Sequence, residues 1–192
     1  MQLISHNSFT FAQPKKWWMR LLNFSAKCQD VNIGAQYEKY GIRAFDLRLR
    51  FHVENRILQE DVVHGLIEYD YNYFSALQYL NEKGGCIVRV IHDVRTRKQY
   101  EQSDAQYFRF TCQSLQMFFK NIKFFGGTNL YNGKKEYDFG NDFSIEGCYG
   151  SQITPTWFWG LYPRLYAFLF NKKNIKLGTD KDLLMIDFVN YN

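Results

Sequence analysis

The sequence predicts an α/β fold in which parallel strands alternate with crossover helices. Three observations predict it. Period-two or β-branched apolar stretches recur along the chain, in IRAFDLRLRF (42–51), CIVRVIHDV (86–94) and DLLMIDFVN (182–190). Helical segments with a cap or stop residue separate them: 70–85 ends on Gly84, and 103–122 opens on Ser103. The 192 residues are 46% apolar and 22% charged, which suits one ordinary globular domain.

Each element follows in order. Leu3 and Ile4 start a very short strand that ends at Ser5. Residues 10–34 read as irregular or briefly helical and contain KKWWMRLLNF (15–24). Segment 35–41 is a short helix closed by Gly41. Segment 42–51 is a strand, VENRIL (53–58) turns a hairpin, and VVHGL (62–66) ends another strand. Phe74, Leu77 and Leu80 share one face of the helix over 70–85. A strand beginning at Cys86 precedes the long helix over 103–122, and FFGGTNLYNGKKEYDFGND (124–142) reads as loop. FSIEGCY (143–149) is a short strand, LYPRLYAFLF (161–170) a helix with Pro163 in its first turn, and 182–190 a buried last strand.

Composition narrows the function. A net charge of +5 suits an anionic partner such as a phospholipid surface. No long basic run or nucleic-acid motif accompanies it, so nucleic acid is not an expected partner. Cys28, Cys86, Cys112 and Cys148 lack C-x-x-C spacing, which argues against a structural zinc site, and are too sparse for a disulfide framework. MQLISHNS lacks the basic and long apolar regions of a secretory leader, and no run is long enough to span a bilayer. The expectation is a cytoplasmic protein, or a secreted one freed of its leader, that touches membranes only peripherally.

Polar residues recur where strands give way to loops. His6 follows the first strand, and Asp46 and Arg48 lie toward the end of the second. His64 ends the third, His92 and Asp93 end the strand from Cys86, and Asp187 lies near the end of the last. In a parallel α/β protein such ends gather on one face, where active sites form. Two imidazoles supply a general base and a general acid near neutral pH. An arginine holds a phosphate and offsets charge growing on its oxygens, while aspartates fix the rings. The set suits in-line attack of a neighbouring hydroxyl on a phosphodiester, with no metal required.

SHNSFT (5–10), GIRAFDLRLR (41–50) and VVHG (62–65) together resemble the X-region signature of the phosphatidylinositol-specific phospholipase C family. That signature is an early S-H-[ND]-[ST], a strand G-[IV]-R-x-x-D-x-R, and a strand ending in H-G. Asp187 resembles the family's aspartate that supports the first histidine. The motifs cover about the first third of the chain plus the last strand; residues 95–179 match only by strand–helix rhythm. The resemblance implies a TIM-barrel-like (β/α)8 fold in a single domain, residues 1–192. A full barrel usually takes about 250 residues, so this one is expected to be compact, distorted or incomplete.

The resemblance also implies roles. His6 is the base for the inositol 2-hydroxyl, and His64 is the acid for the leaving diacylglycerol oxygen. Arg48 holds the phosphate, Asp46 orients Arg48 or His64, and Asp187 holds His6. Asn7, His92 and Asp93 are expected to contact substrate. The D-x-R spacing resembles the metal-independent bacterial branch, so no cofactor is expected. Asn7 resembles the calcium-dependent branch and leaves calcium at Asn7 and Asp46 open. Because Asn7 cannot ionise, Asp93 or Glu146 is the carboxylate expected to assist the acid. Trp17 and Trp18 suit an interfacial anchor, as does TWFWGLYPRLYAFLF (156–170). The expected reaction gives diacylglycerol and a cyclic inositol phosphate. The competing readings are a non-catalytic lipid- or protein-binding relative, and a phosphodiesterase for another headgroup or for RNA.

Overall fold

The computed structural model describes residues 1–54, 57–102, 105–129 and 132–191. Its backbone is a mixed nine-stranded sheet with seven α-helices among the described residues. In chain order these are β1 (Gln2–Ser5), β2 (Gln13–Pro14), α1 (Trp17–Ala26), α2 (Ile33–Glu38), β3 (Ala44–Glu54) and β4 (Ile57–His64). Then come β5 (Ile67–Asp70), α3 (Tyr73–Lys83), β6 (Cys86–His92), α4 (Arg97–Gln102), α5 (Ala105–Phe118) and β7 (Ile122–Asn129). The chain closes with β8 (Ile145–Gly147), α6 (Thr156–Leu161), α7 (Pro163–Leu177) and β9 (Leu183–Ile186).

Six strands are parallel, in the order β7-β6-β3-β1-β9-β8. Each follows its predecessor around the series in chain order. No pairing joins β7 to β8 among the described residues. The remaining strands are antiparallel, because β3 runs on past its parallel partners toward the expected hairpin. Its second half pairs antiparallel with β4, β4 with β5, and β5 with β2. The β3–β4 pairing continues to Glu54 opposite Ile57, and the turn itself lies outside the described residues.

Local chemistry sets the boundaries. Asn72 caps α3 by accepting from the Phe74 amide, and Gly84 takes φ 72° to end it. Pro163 starts α7. The expected cap of α5, Ser103, lies outside the described residues. The loop expected from 124 is corrected at its start, where β7 runs through Gly126 and Gly127. Both have positive φ, and a side chain on Gly126 would meet the Val90 carbonyl at 2.6 Å. Gly126 thus marks a close approach to β6, and Gly127 a close approach of the Tyr137 carbonyl.

The sheet has two apolar faces. One packs Phe45, Leu47, Leu49, Val88, Val90, Leu184 and Ile186 against Leu77, Leu80, Phe108, Cys112 and Leu115 from the helices. The other carries a smaller cluster, Ile4, Ala44, Ile87, Phe125, Leu183 and Met185. Strand residues alternate faces. Continuing the second set by twos therefore leads from Ile4 to His6, from Ala44 to Asp46 and Arg48, from Ile87 to Arg89, and from Met185 to Asp187. Four strands thus carry an apolar layer on this face, followed by ionisable residues toward their C-terminal ends.

Candidate active site

His6, just past β1, is 3% exposed and lies beside Asp187, just past β9. Its Nδ1–H donates to Asp187 Oδ1 at 2.7 Å. Its Nε2 faces two donors, Arg48 Nη2 and Asn7 Nδ2, each at 3.0 Å. Nε2 therefore carries the lone pair. Asn7 has φ 44°, a left-handed conformation that asparagine tolerates. This turn brings the Asn7 amide onto Asp46 Oδ2 at 3.1 Å.

Asp46 is fully buried and takes Arg48 Nε on the same Oδ2 at 2.9 Å. Arg89 stands 3.5 Å from Oδ1. Burial alone would raise the Asp46 carboxyl, but Arg48 and Arg89 outweigh it and hold it down at about 2. Arg48 is pushed the other way, above its ordinary value, because Asp46 and Asp93 outweigh the burial that would lower it.

His64 ends β4, and its ring centroid lies 5.7 Å from that of His6. Its Nδ1–H donates to the Ala26 carbonyl at 2.6 Å. Burial, then the nearby Arg48, His6 and Arg95, depress the His64 pKa strongly. Gly65 follows with φ 62°, and its amide donates to Asp93 Oδ2 at 3.1 Å. Arg95 Nε donates to Asp93 Oδ1 at 3.1 Å, so Asp93 supports the wall beside His64.

These residues enclose a cavity of about 550 Å³. His6, Arg48, His64 and Asp187 line it together with Arg89, Arg95, Tyr149 and Cys28. The structure thus brings His6, Asn7, Asp46, Arg48, His64, Asp93 and Asp187 into one connected network. His92 is the exception and corrects the expectation of a substrate contact. It lies on the opposite face of β6 from Arg89, bonded to Glu136 at 2.5 Å and stacked on Phe108 at 4.8 Å. Glu146 is exposed on β8 and does not line the cavity.

Four site residues went unrecognised in the sequence. Arg89 is an arginine inside an otherwise apolar strand, which was a usable signal. Tyr149 stacks on His6 with centroids 3.9 Å apart and planes 18° apart. Cys28 Sγ lies 3.7 Å from His64 Nδ1 and 3.8 Å from Asn7 Nδ2. Arg95 stands beyond β6. The last three reach the site through loops far apart in the chain, and no local pattern announces them.

Part of the cavity lining is apolar, beside the polar Ser25, Arg95, Ser151 and Gln152. Leu22 and Ala26 of α1, and Leu66, line it beside Gly160 and Pro163. Helix α1 buries Met19 but exposes Trp17, Leu21 and Phe24 at 74%, 67% and 60%. Trp18 is 39% exposed, and Trp157, Leu165 and Phe168 on α6 and α7 are also exposed. No helix among the described residues is long and apolar enough to cross a membrane.

No protein-family model matches the chain, no curated protein is significantly similar to it, and no solved structure is significantly similar either.

Proposed function

We propose that this chain is a metal-independent phosphodiesterase of the phospholipase C type, working on a glycerophospholipid, with phosphatidylinositol as the first candidate. The observation that carries the reading is His6. One ring nitrogen is held by a buried carboxylate, the other presents its lone pair beside Arg48, and a second imidazole stands across the same cavity. The six parallel strands in chain order suit a (β/α)8 barrel left open between β7 and β8.

In this reading the phosphate sits against Arg48. The headgroup hydroxyl next to the phosphoester gives its proton to His6 Nε2, and its oxygen attacks phosphorus. A cyclic phosphodiester forms as the bond to the diacylglycerol oxygen breaks, and His64 supplies that oxygen's proton. His64 must first gain that proton. The phosphate anion offsets the arginines that depress it, and the Asp93 carboxylate favours its charged form. Asp93, rather than Glu146, therefore takes the assisting role that Asn7 cannot. Arg48 and Arg89 already hold the Asp46 carboxylate, which disfavours calcium there. The exposed aromatic residues of α1 and α6 would sit in the headgroup layer and bring the cavity mouth to the lipid.

One observation favours a non-catalytic relative. Asn7 and Arg48 already occupy the His6 lone pair, so the empty site satisfies itself. ³¹P NMR of phosphatidylinositol vesicles separates the two. A cyclic phosphodiester signal in the presence of chelator, absent in His6→Ala, is expected. Vesicle binding without any product, on phosphatidylinositol or on mixed phospholipids, would favour the non-catalytic reading. A signal that requires calcium would overturn the metal-free mechanism.

A further inference from the structure

Cys28 has no part in that reaction, yet it sits at its centre. It is 2% exposed, lies between Asn7 and His64, and borders the cavity. One ligand atom each from His6, Cys28 and His64 lies within 4.8 Å of the other two, the one such grouping among the described residues.

Two further observations point to a metal. Histidines that bind metals almost always have their second ring nitrogen held by a carboxylate or a backbone carbonyl. Both imidazoles here are held in that way, His6 by Asp187 and His64 by the Ala26 carbonyl. In His6 the other nitrogen, Nε2, carries the lone pair; Cys28 Sγ lies 3.7 Å from His64 Nδ1, the nitrogen that the Ala26 carbonyl holds, so the His64 ring turns to bring its lone pair to the metal. The donor set, two imidazoles and one thiol, is of the kind that selects zinc over calcium or magnesium. Three protein ligands facing a cavity also leave a fourth position open.

The spacing is workable. With Zn–N of about 2.0–2.1 Å and Zn–S of about 2.3 Å, tetrahedral ligand atoms stand roughly 3.3–3.7 Å apart. From within 4.8 Å, the present trio closes to that by at most roughly 1.1–1.5 Å. The cost lies at Arg48 and Asn7, whose Nη2 and Nδ2 must both leave His6 Nε2. Arg48 keeps its Nε bond to Asp46, so the guanidinium stays anchored while it turns aside.

We propose that His6, Cys28 and His64 form a binding site for a thiophilic divalent cation of the Zn²⁺ class, and that occupancy switches the site off. On binding, the Cys28 S–H bond breaks, the proton leaves to buffer, and the sulfur bonds the metal. Both imidazole lone pairs go to the metal, so neither ring is available to accept or carry a proton. The metal site stands on its own geometry; its inhibitory effect rests on the phosphodiesterase reading.

The test begins with Co²⁺ as a spectroscopic stand-in for zinc. One Co²⁺ per chain with a thiolate-to-metal charge-transfer band, displaced by Zn²⁺, is expected. Cys28→Ser should abolish the band. Asp187→Asn, which leaves all three ligands in place, should weaken zinc binding roughly 10–100-fold. Zn²⁺ should raise the melting temperature of the parent and not of Cys28→Ser. If the Cys28→Ser protein does not fold, the parent's band and the Asp187→Asn affinity decide. Absence of the band, or unchanged zinc affinity in Asp187→Asn, overturns the site. Turnover is read separately: it should fall in proportion to zinc occupancy in the parent and persist in Cys28→Ser. Full turnover at full occupancy would overturn the inhibition alone. A protein that shows the band but never turns over phospholipid keeps the metal site and loses the proposed reaction.

Discussion

Replacing Asp187 with asparagine tests the reaction at its most specific contact. The change is nearly isosteric and sits at a residue 2% exposed. It removes a charged acceptor 2.7 Å from His6 Nδ1. A buried hydrogen bond to a charged group is worth about 1.5–3 kcal/mol. At about 1.4 kcal/mol per factor of ten, losing it from the transition state slows the reaction roughly 10–150-fold. Tautomer adds to this. If the asparagine turns its NH₂ toward Nδ1, the imidazole proton moves to Nε2. There it meets Arg48 Nη2 and Asn7 Nδ2, both donors, and the base has no lone pair to offer. Loss of the correct tautomer in a comparable carboxylate–imidazole pair costs about 10⁴-fold. The expected fall in kcat therefore lies between about 10- and 10⁴-fold, with vesicle affinity unchanged. The assay is product formation by ³¹P NMR on phosphatidylinositol vesicles, beside a vesicle-binding measurement. A loss smaller than about tenfold would refute the argument that Asp187 sets the state of His6.

Arg48→Lys should lower kcat roughly 10²–10³-fold in the same assay, because one ammonium cannot serve Asp46 and the phosphate through two separate nitrogens. Stability should fall in acid for two reasons, readable in chemical melts from pH 7 to 2. The Asp46 carboxyl is held at about 2 against an ordinary 3.8, so its contribution, about 2 kcal/mol, is present above pH 4 and lost as pH falls toward 2. His64 is also depressed, so below its unfolded pKa of about 6.5 the unfolded chain binds more protons, and stability already declines there. His64→Gln should flatten the decline around pH 6, and Asp46→Asn the one near pH 3; Asp46→Asn should also cost roughly 3–5 kcal/mol at pH 7 by leaving Arg48 and Arg89 unpaired. Trp17→Ala with Trp18→Ala should weaken binding to phosphatidylinositol vesicles about tenfold or more while leaving turnover of a soluble headgroup diester intact.

The alternation of apolar residues made β3, β6 and β9 legible, and with them most of the site. Asp46 and Arg48 sit two apart on β3 and must share a face, whatever the sheet does around them. The same rule, applied along β6, places His92 opposite Arg89; the expectation failed because His92 was judged by its position at a strand end and not by its parity. Gly126 and Gly127 suggest a loop because glycine breaks strands on average, whereas the missing side chain of Gly126 permits the approach of Val90 and that of Gly127 the approach of the Tyr137 carbonyl. The antiparallel arm was only partly legible. β4 announced itself, but β2 is two residues long and β5 four, too short to show a period. Tyr149 and Cys28 meet His6 across 143 and 22 residues of chain, distances over which sequence carries no pairing signal.

The two imidazoles share a cavity, yet their surroundings assign them opposite tasks. His6 points one nitrogen at a carboxylate and the other at donors, so its lone pair is fixed on Nε2 before substrate arrives. His64 is buried, with a neutral carbonyl behind it and cations around it, so the site without substrate discourages its proton. An acid that is uncharged until an anion binds cannot act on water or on a misplaced ester. The phosphate that seats itself against Arg48 also offsets the nearby positive charge that, after burial, keeps His64 neutral. Proton uptake should therefore accompany phosphate binding. Calorimetric titration of inositol phosphate in two buffers of different ionisation enthalpy measures it directly. About one proton taken up near pH 7, and none in His64→Gln, is the expected result. Binding with no buffer dependence would mean that His64 is not the acid, and would leave Arg48 and Asp93 as the charged partners to test next.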